Sequence, residues 1–468
     1  MSTQIKTKIS NDEYLNKIKS LTDADIYVVG GTVRDYLLDK TTYDRDLIVD
    51  GESTESFAKK IAENLDGTFI TLDSENNIYR VVLKDKLNYF DITNPVENNL
   101  TKDLFRRDLT INAIAVNIKT LEVIDLCGGI SDINNKILHV ISEENIKDDP
   151  LRILRTYRFQ ALLGFEIERD TINFICNNVN LIANPAAERI NYELLKLFSG
   201  KFAAKTLENM DKTWLLEQIF PFVKELKQVP PNSHHHLDLF NHSIETVNQI
   251  QFLYENSNPI IKEHLDSVDF GGCSRLAHLK LAGFMHDIGK FSTWTIEEDT
   301  GRHRFIKHDD VGSKIAAKFL KNMKFSNKQI EYISSMIKNH IYPSQVMCAP
   351  EVNDKIMMRF VRKMDKNSID NIYLAMADRL SARGPEISED IVNTNLRNLN
   401  KLLEFYLDKK DSLKPLPILL DGNDVMKILN IKPSPELGKI MNMLHEEQLN
   451  GEILTREDAV LYIKSIKF

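Results

Sequence analysis

The chain is 468 residues long, with 42% hydrophobic and 27% charged side chains and a formal net charge of −8. That length and balance exclude a single small binding module and a disordered tail, and the excess of acid argues against indiscriminate binding to nucleic acid. The acid is concentrated, however: residues 1–150 hold 18 basic and 27 acidic side chains, whereas residues 301–350 hold 9 and 3.

The opening stretch MSTQIKTKISNDEYLNK lacks the apolar core of a secretory signal, and no run approaches the ~18 apolar residues of a membrane span. A cytoplasmic location with no membrane partner is therefore expected. Cys127, Cys176, Cys273 and Cys348 lie far apart and outside C-x-x-C spacing, which predicts reduced, mostly buried thiols. From residue 24 to 125 the pattern is mixed. A β-branched run at 26–29 ends in Gly30-Gly31, runs at 68–72, 78–83 and 89–93 read as strands, and 53–65 and 108–116 have helical spacing. From about residue 149 the strand signal fades and apolar residues recur at three and four, as in packed amphipathic helices. The expected fold class is α+β, a mixed α/β head followed by an all-α remainder. Breaks at 229–233, 381–385 and 414–417 are candidate joints, and the expected division is 1–148, 149–228, 229–400 and 401–468.

Within the head, Asp44 and Asp46 stand two apart on a strand and face the same side. Parallel carboxylates repel unless a cation lies between them, and Mg²⁺, which takes hard oxygen ligands together with substrate phosphates, suits that position. Just upstream, Gly30-Gly31-Thr32-Val33-Arg34-Asp35 reads as a turn that lets backbone N–H groups approach an anion at a helix N-terminus, with Arg34 as an added donor. Arg106-Arg107-Asp108 offers guanidinium forks that match phosphate oxygens. In Asp149-Pro150-Leu151-Arg152, an acceptor stands one turn from a donor, which complements the base edges of cytosine and adenine and mismatches those of guanine and uracil. Arg152, Arg155 and Arg158 recur at three and form one basic stripe.

The ordered set Gly-Gly-Thr-Val-Arg-Asp, Asp-Arg-Asp, Arg-Arg-Asp-Leu-Thr-Ile-Asn-Ala, Asp125-Leu126-Cys127-Gly128-Gly129, Asp149-Pro150-Leu151-Arg152 and Ala187-Glu188-Arg189-Ile190 resembles the bacterial-type (class II) tRNA nucleotidyltransferases, the CCA-adding enzymes and their poly(A) polymerase relatives. The resemblance implies a polymerase-β-like head in which Asp44 and Asp46 hold two Mg²⁺. It also implies that Gly30, Gly31, Arg34, Arg107, Asp149, Arg152, Arg155 and Arg158 bind CTP or ATP, and that the tRNA 3′-hydroxyl is the attacking group. One departure stands out. Members that add all three nucleotides carry a longer segment before the Arg-Arg-Asp motif, and here residues 94–105 span only twelve positions, as in members that add two cytidines.

In the second half, His242, His286-Asp287 followed by Ile-Gly-Lys, and Asp378 resemble the HD phosphohydrolase superfamily. The resemblance implies these four as ligands of a transition metal such as Ni, Mn, Fe or Zn, with His308 and His340 completing a second site. The run His234-His235-His236 is too short for a tag, and whether it forms a rim of the same site stays open. The C-terminal stretches beginning at Leu420, Lys432 and Gly451 also resemble HD-containing tRNA nucleotidyltransferases, and residues 401–468, with 10 basic and 11 acidic side chains, lack the basic extension of poly(A) polymerases. A poly(A) polymerase and an RNA-binding or sensing protein with an inactive head stay open as alternatives.

Overall fold

Seven strands of the first half form one sheet in the order β3-β4-β5-β2-β1-β6-β7. They are β1 Asp25–Val29, β2 Asp44–Asp50, β3 Thr68–Asp73, β4 Ile78–Val82, β5 Tyr89–Thr93, β6 Ala115–Asn117 and β7 Val123–Ile124. The pair β2–β5 is parallel and every other pair is antiparallel. β4 and β5 alternate between buried and half-buried residues, the period-2 signature of a sheet with one covered face. The covered face carries Val81, Phe90 and Ile92, all fully buried. The helix Thr54–Asn64, capped by Ser53, packs against β4 and β5 and has Phe57, Ala58 and Ile61 fully buried. The computed structural model describes residues 2–232, 236–349, 351–410 and 416–466.

The chain divides into two compact units near residues 224–225. In the first, the helix Gly30–Leu37 leaves β1 directly, with no side chain capping its N-terminus, so its first amides stay available. The helices Leu151–Leu163 and Ala187–Ser199 pack against each other, and Leu154, Leu194, Leu197 and Phe198 on them are fully buried.

The second unit is almost entirely helical. Its central helix Arg275–Met285 has all eleven residues buried, including Arg275 at 0% exposure. Such a charge is tolerable only when fully paired. Arg275 donates from Nε to Asp370 Oδ1 (3.1 Å) and from Nη2 to Asp370 Oδ2 (2.9 Å), and the same carboxylate receives Tyr332 Oη (2.6 Å) and His264 Nε2 (2.7 Å). The helices Gly422–Leu429, Pro435–Asn450 and Arg456–Ser465 enclose a core of their own around Val425, Ile440, Leu444 and Ile463. Among the described residues, no helix is long and apolar enough to cross a membrane.

Several expectations change. Residues 108–116 are not a helix: a 3-10 turn Thr110–Asn112 leads into β6, because every side chain from Asp108 to Val116 is buried and the apolar spacing was that of a core segment rather than an amphipathic face. A hairpin of Trp294–Ile296 and His303–Phe305 lies where only helix was expected. The helix Glu389–Lys409 runs straight through the joint expected at 400–401. All four cysteines are free, but only Cys273 is buried and Cys348 is exposed. His234 and His235, and part of the 414–417 break, lie outside the described residues.

Candidate functional site

β2 presents Asp44 and Asp46 on the open face of the sheet, and the parallel register with β5 places Asp91 directly beside Asp46. Oxygens of the three carboxylates lie within 4.8 Å of one another. Burial, followed by the neighbouring Asp44, pushes Asp46 up to about 6, and burial with Asp91 raises Asp44. Asp44 Oδ1 is buried without a hydrogen-bond partner. Crowded, partly desolvated carboxylates with an orphaned oxygen fit a divalent cation with hard oxygen preference. In the sequence, Asp91 reads only as part of a strand. The signal for its role was an acid in an otherwise apolar, alternating segment, but nothing local reveals that this strand pairs with β2.

The turn before β2 is tied to it by Thr32, whose Oγ1 donates to Asp44 O (3.0 Å) and accepts from Asp46 N (3.1 Å). Gly30 has φ +64, and a Cβ there would come within 2.8 Å of Arg107 Nη1 and 3.3 Å of Asp46 Oδ2. The glycine therefore lets Arg107 and Asp46 approach the turn closely without a side chain between them. Arg107 is oriented by Asp103 Oδ2 (3.0 Å) and by the Asn112 carbonyl (3.3 Å). Arg34 donates to Asn112 Oδ1 (2.7 Å) and lies against the Phe159 ring. Gly30, Gly31, Arg34 and Arg107 thus gather around the carboxylates as expected.

The basic stripe is less open than its spacing suggested. Arg155 is bound to buried Asp108 (2.6 Å) and approaches Glu193 at 3.5 Å, and Arg158 pairs with Glu193 at 3.2 Å. Burial works against ionisation of Asp108, but Arg155 and the Asn112 amide outweigh it and hold that carboxyl well below its usual range. Arg152 donates to the Asn145 carbonyl (2.9 Å), and Asp149 pairs with Arg189 (2.8 Å) rather than with Arg152. Arg152 and Asp149 still flank the start of the helix Leu151–Leu163, whereas Arg155 and Arg158 are engaged by acids that the sequence left unassigned. Glu193 is one such residue, buried opposite two arginines.

In the second unit, all six residues expected at the metal site converge. His242 Nε2 and His286 Nε2 are 3.2 Å apart, as are His308 Nε2 and His340 Nε2. Asp287 lies between the pairs, with Oδ2 at 3.2 Å from His286 and Oδ1 at 3.3 Å from His308, and Asp378 Oδ1 is 3.1 Å from His242. The Nδ1–H groups of His286, His308 and His340 each donate to the backbone carbonyl three residues earlier, at 2.7, 2.8 and 2.7 Å. That bond fixes the tautomer and leaves the Nε2 lone pairs facing inward, the outer-shell arrangement of metal-binding imidazoles. Nitrogens facing one another at such distances need a proton or a metal cation between them, and the carboxylates beside them favour either. Gly289 explains the Ile-Gly-Lys signature: a Cβ there would meet His308 O at 2.1 Å, so only glycine lets the two ligand segments touch. Lys290 Nζ lies 2.6 Å from Asp287 Oδ2.

The chain matches three family models: poly A polymerase head domain over residues 26–139, probable RNA and SrmB-binding site of polymerase A over 164–227, and HD domain over 239–383. A CC-adding tRNA nucleotidyltransferase of Thermus thermophilus is 30% identical over 449 residues, covering 94% of each chain. An A-adding tRNA nucleotidyltransferase of Deinococcus radiodurans is 28% identical over 442 residues, covering 93% of this chain and 94% of its own. The solved structure of a Thermotoga maritima CCA-adding enzyme complexed with tRNA is similar in fold, with a TM-score of 0.57 and 20% identity over 99% of this chain and 98% of its own.

Proposed function

The chain belongs to the tRNA nucleotidyltransferase family, and on that premise we propose that its head extends the 3′ end of cytoplasmic tRNA with C, or with C and A, from CTP and ATP and without a nucleic-acid template. The observation that carries this reading is the three-carboxylate face of β2 and β5 beside the open helix N-terminus at Gly30. Asp44, Asp46 and Asp91 would hold Mg²⁺, which when bound activates the 3′-hydroxyl and neutralises the departing pyrophosphate. The amides at Gly30 and Gly31, with Arg34 and Arg107, bind the triphosphate. Asp149 and Arg152 meet the base edge, while Arg155 and Arg158, braced by Asp108 and Glu193, hold the helix that carries Arg152. The reaction needs no protein nucleophile.

How far addition proceeds is suggested by residues 94–105. They fold into a 3-10 turn Val96–Asn98 and a helix Leu100–Phe105, with Leu104 fully buried and Asp103 only 2% exposed. So short and anchored a segment favours stopping after two cytidines. Labelled CTP and ATP, supplied to tRNAs that end before the first C or after CC, test both points. Two C additions and no A are expected. Terminal A addition overturns the CC reading, a long A tract indicates a poly(A) polymerase, and no incorporation at all indicates an RNA-binding protein with an inactive head.

A second activity is favoured by the imidazole cluster. Its donor set suits Ni, Mn, Fe or Zn and a phosphoester substrate such as a phosphodiester or 2′,3′-cyclic phosphate. Absence of transition metal from the purified protein, together with no hydrolysis of such esters, would sink that assignment.

A further inference from the structure

The open face of the head sheet is ordered in two cross-strand rows. Register places Arg80 of β4 opposite Asp91 of β5, and Asp91 opposite Asp46 of β2; in the adjacent row Tyr89 stands opposite Asp44. Partners in register share a face. Arg80 meets Asp91 as a fork, donating from Nε to Oδ1 and from Nη2 to Oδ2, both at 2.6 Å. Its guanidinium lies over the Tyr89 ring, 4.3 Å from the centroid. Stacking fixes the plane of the guanidinium, and the fork then fixes the plane of the carboxylate. Each carboxylate oxygen has two lone pairs, so the fork leaves one on each oxygen of Asp91. Those oxygens border the space shared with Asp44 and Asp46.

We propose that Arg80, stacked on Tyr89, is a positioning residue for the divalent-ion site of the head. It holds Asp91 with its free lone pairs toward the space shared with Asp44 and Asp46; its positive charge by itself weakens the attraction of the face for a cation, so its contribution is orientation. The inference rests on the reading of Asp44, Asp46 and Asp91 as ion ligands. A lysine in place of Arg80 would keep the charge and lose the fork and the flat stack, so it reads the loss of orientation alone, whereas methionine also removes a charge that repels the ion.

The test compares the full-length protein with Arg80→Met and Arg80→Lys. Terbium(III), a hard ion with oxygen preference, is titrated into the nucleotide-free protein, and the luminescence sensitised by nearby tyrosine is followed. The head signal is the part that Asp46→Asn abolishes. Half-saturation is expected to rise about tenfold in Arg80→Lys, within the usual range for loss of an outer-shell partner, and by a smaller factor in Arg80→Met, where loss of the repelling charge offsets part of the lost orientation. The Mg²⁺ concentration giving half-maximal CTP incorporation should rise in parallel, with KM for tRNA unchanged. Arg80→Lys decides: a half-saturation equal to or below that of the parent overturns the proposal, whatever Arg80→Met shows. Incorporation that survives Asp46→Asn would instead overturn the reading of the carboxylates themselves.

Discussion

In the head, three carboxylates share one sheet face with no imidazole among them, and all three remain partly accessible. In the second unit, four imidazoles and two carboxylates converge, with the side chains of His242, His286, Asp287 and His340 exposed by 1% or less. Strand register sets the first cluster, so its ligands are spaced by the sheet and their remaining coordination is left to substrate and water. Helix ends set the second, where His286 and His340 each close a helix by donating to that helix's own last-turn carbonyl. The difference is one of residence. An open, oxygen-only face suits an ion that arrives with the nucleotide and leaves with the product. An enclosed, imidazole-rich cluster suits a more firmly held transition metal.

Single substitutions should break the two clusters independently. Asp46→Asn keeps the shape of the strand but removes the most strongly perturbed ligand. Because metal ions contribute several kcal/mol to such transition states, nucleotide incorporation should fall on the order of 10³-fold or more. Transition-metal content, measured by elemental analysis, should stay at the parental level. Asp287→Ala removes the carboxylate that lies between both imidazole pairs. It should strip the second unit of most of its bound metal while CTP incorporation stays within about twofold of the parent, the independence expected of sites with no shared partners. Loss of both properties in either variant would mean that the clusters are not independent.

The two clusters were unequally legible in the sequence. Asp44 and Asp46, and the sequence-adjacent pair His286-Asp287, announce themselves through local spacing, and the histidines and Asp378 followed from the resemblance to the HD superfamily. Asp91 did not, because its partner strand β2 lies 45 residues upstream and parallel register leaves no local trace. The arginine stripe was visible as a spacing of three, yet nothing adjacent in sequence shows that Asp108 and Glu193 occupy Arg155 and Arg158. The same holds for Arg275 and Asp370, 95 positions apart and wholly buried. Periodicity misled where burial is complete: the run 108–116 has apolar residues at helical spacing only because nearly every position in it is core.

Acid should separate the clusters by their proton competition. Burial and then Asp44 lift Asp46 to about 6. The ionised group therefore costs the metal-free head stability above that pH, and the cost disappears as pH falls toward the ordinary carboxylate range. Bound ion requires the ionised form, so half-saturating Mg²⁺ for incorporation should be flat above pH 7 and rise by up to about tenfold per unit below 6. In the second unit, burial opposes protonation of His286, but Asp287 and Asp378 outweigh it and lift that group to about 10. Metal uptake there should keep increasing past pH 8, where the head is already saturated. Parallel pH profiles for the two clusters would remove the distinction between them.

The smallest effect expected is at Thr32, and it tests whether the open cluster depends on its link to the helix N-terminus. The hydroxyl bridges Asp44 O and Asp46 N from a side chain 1% exposed. Thr32→Val keeps the volume and removes both bonds; Asp44 O keeps its bond from Thr42 Oγ1 (2.8 Å) while the Asp46 amide loses its side-chain acceptor, at a cost of about 1 kcal/mol in stability. Because the bridge sets the distance between the carboxylates and the phosphate-binding amides, kcat should fall several-fold with KM for tRNA unchanged. Thr32→Ser, which restores the hydroxyl without the methyl group, should recover most of that loss. If serine and valine behave alike, packing rather than the hydrogen-bonded bridge joins turn and strand, and the open cluster is held by the sheet alone.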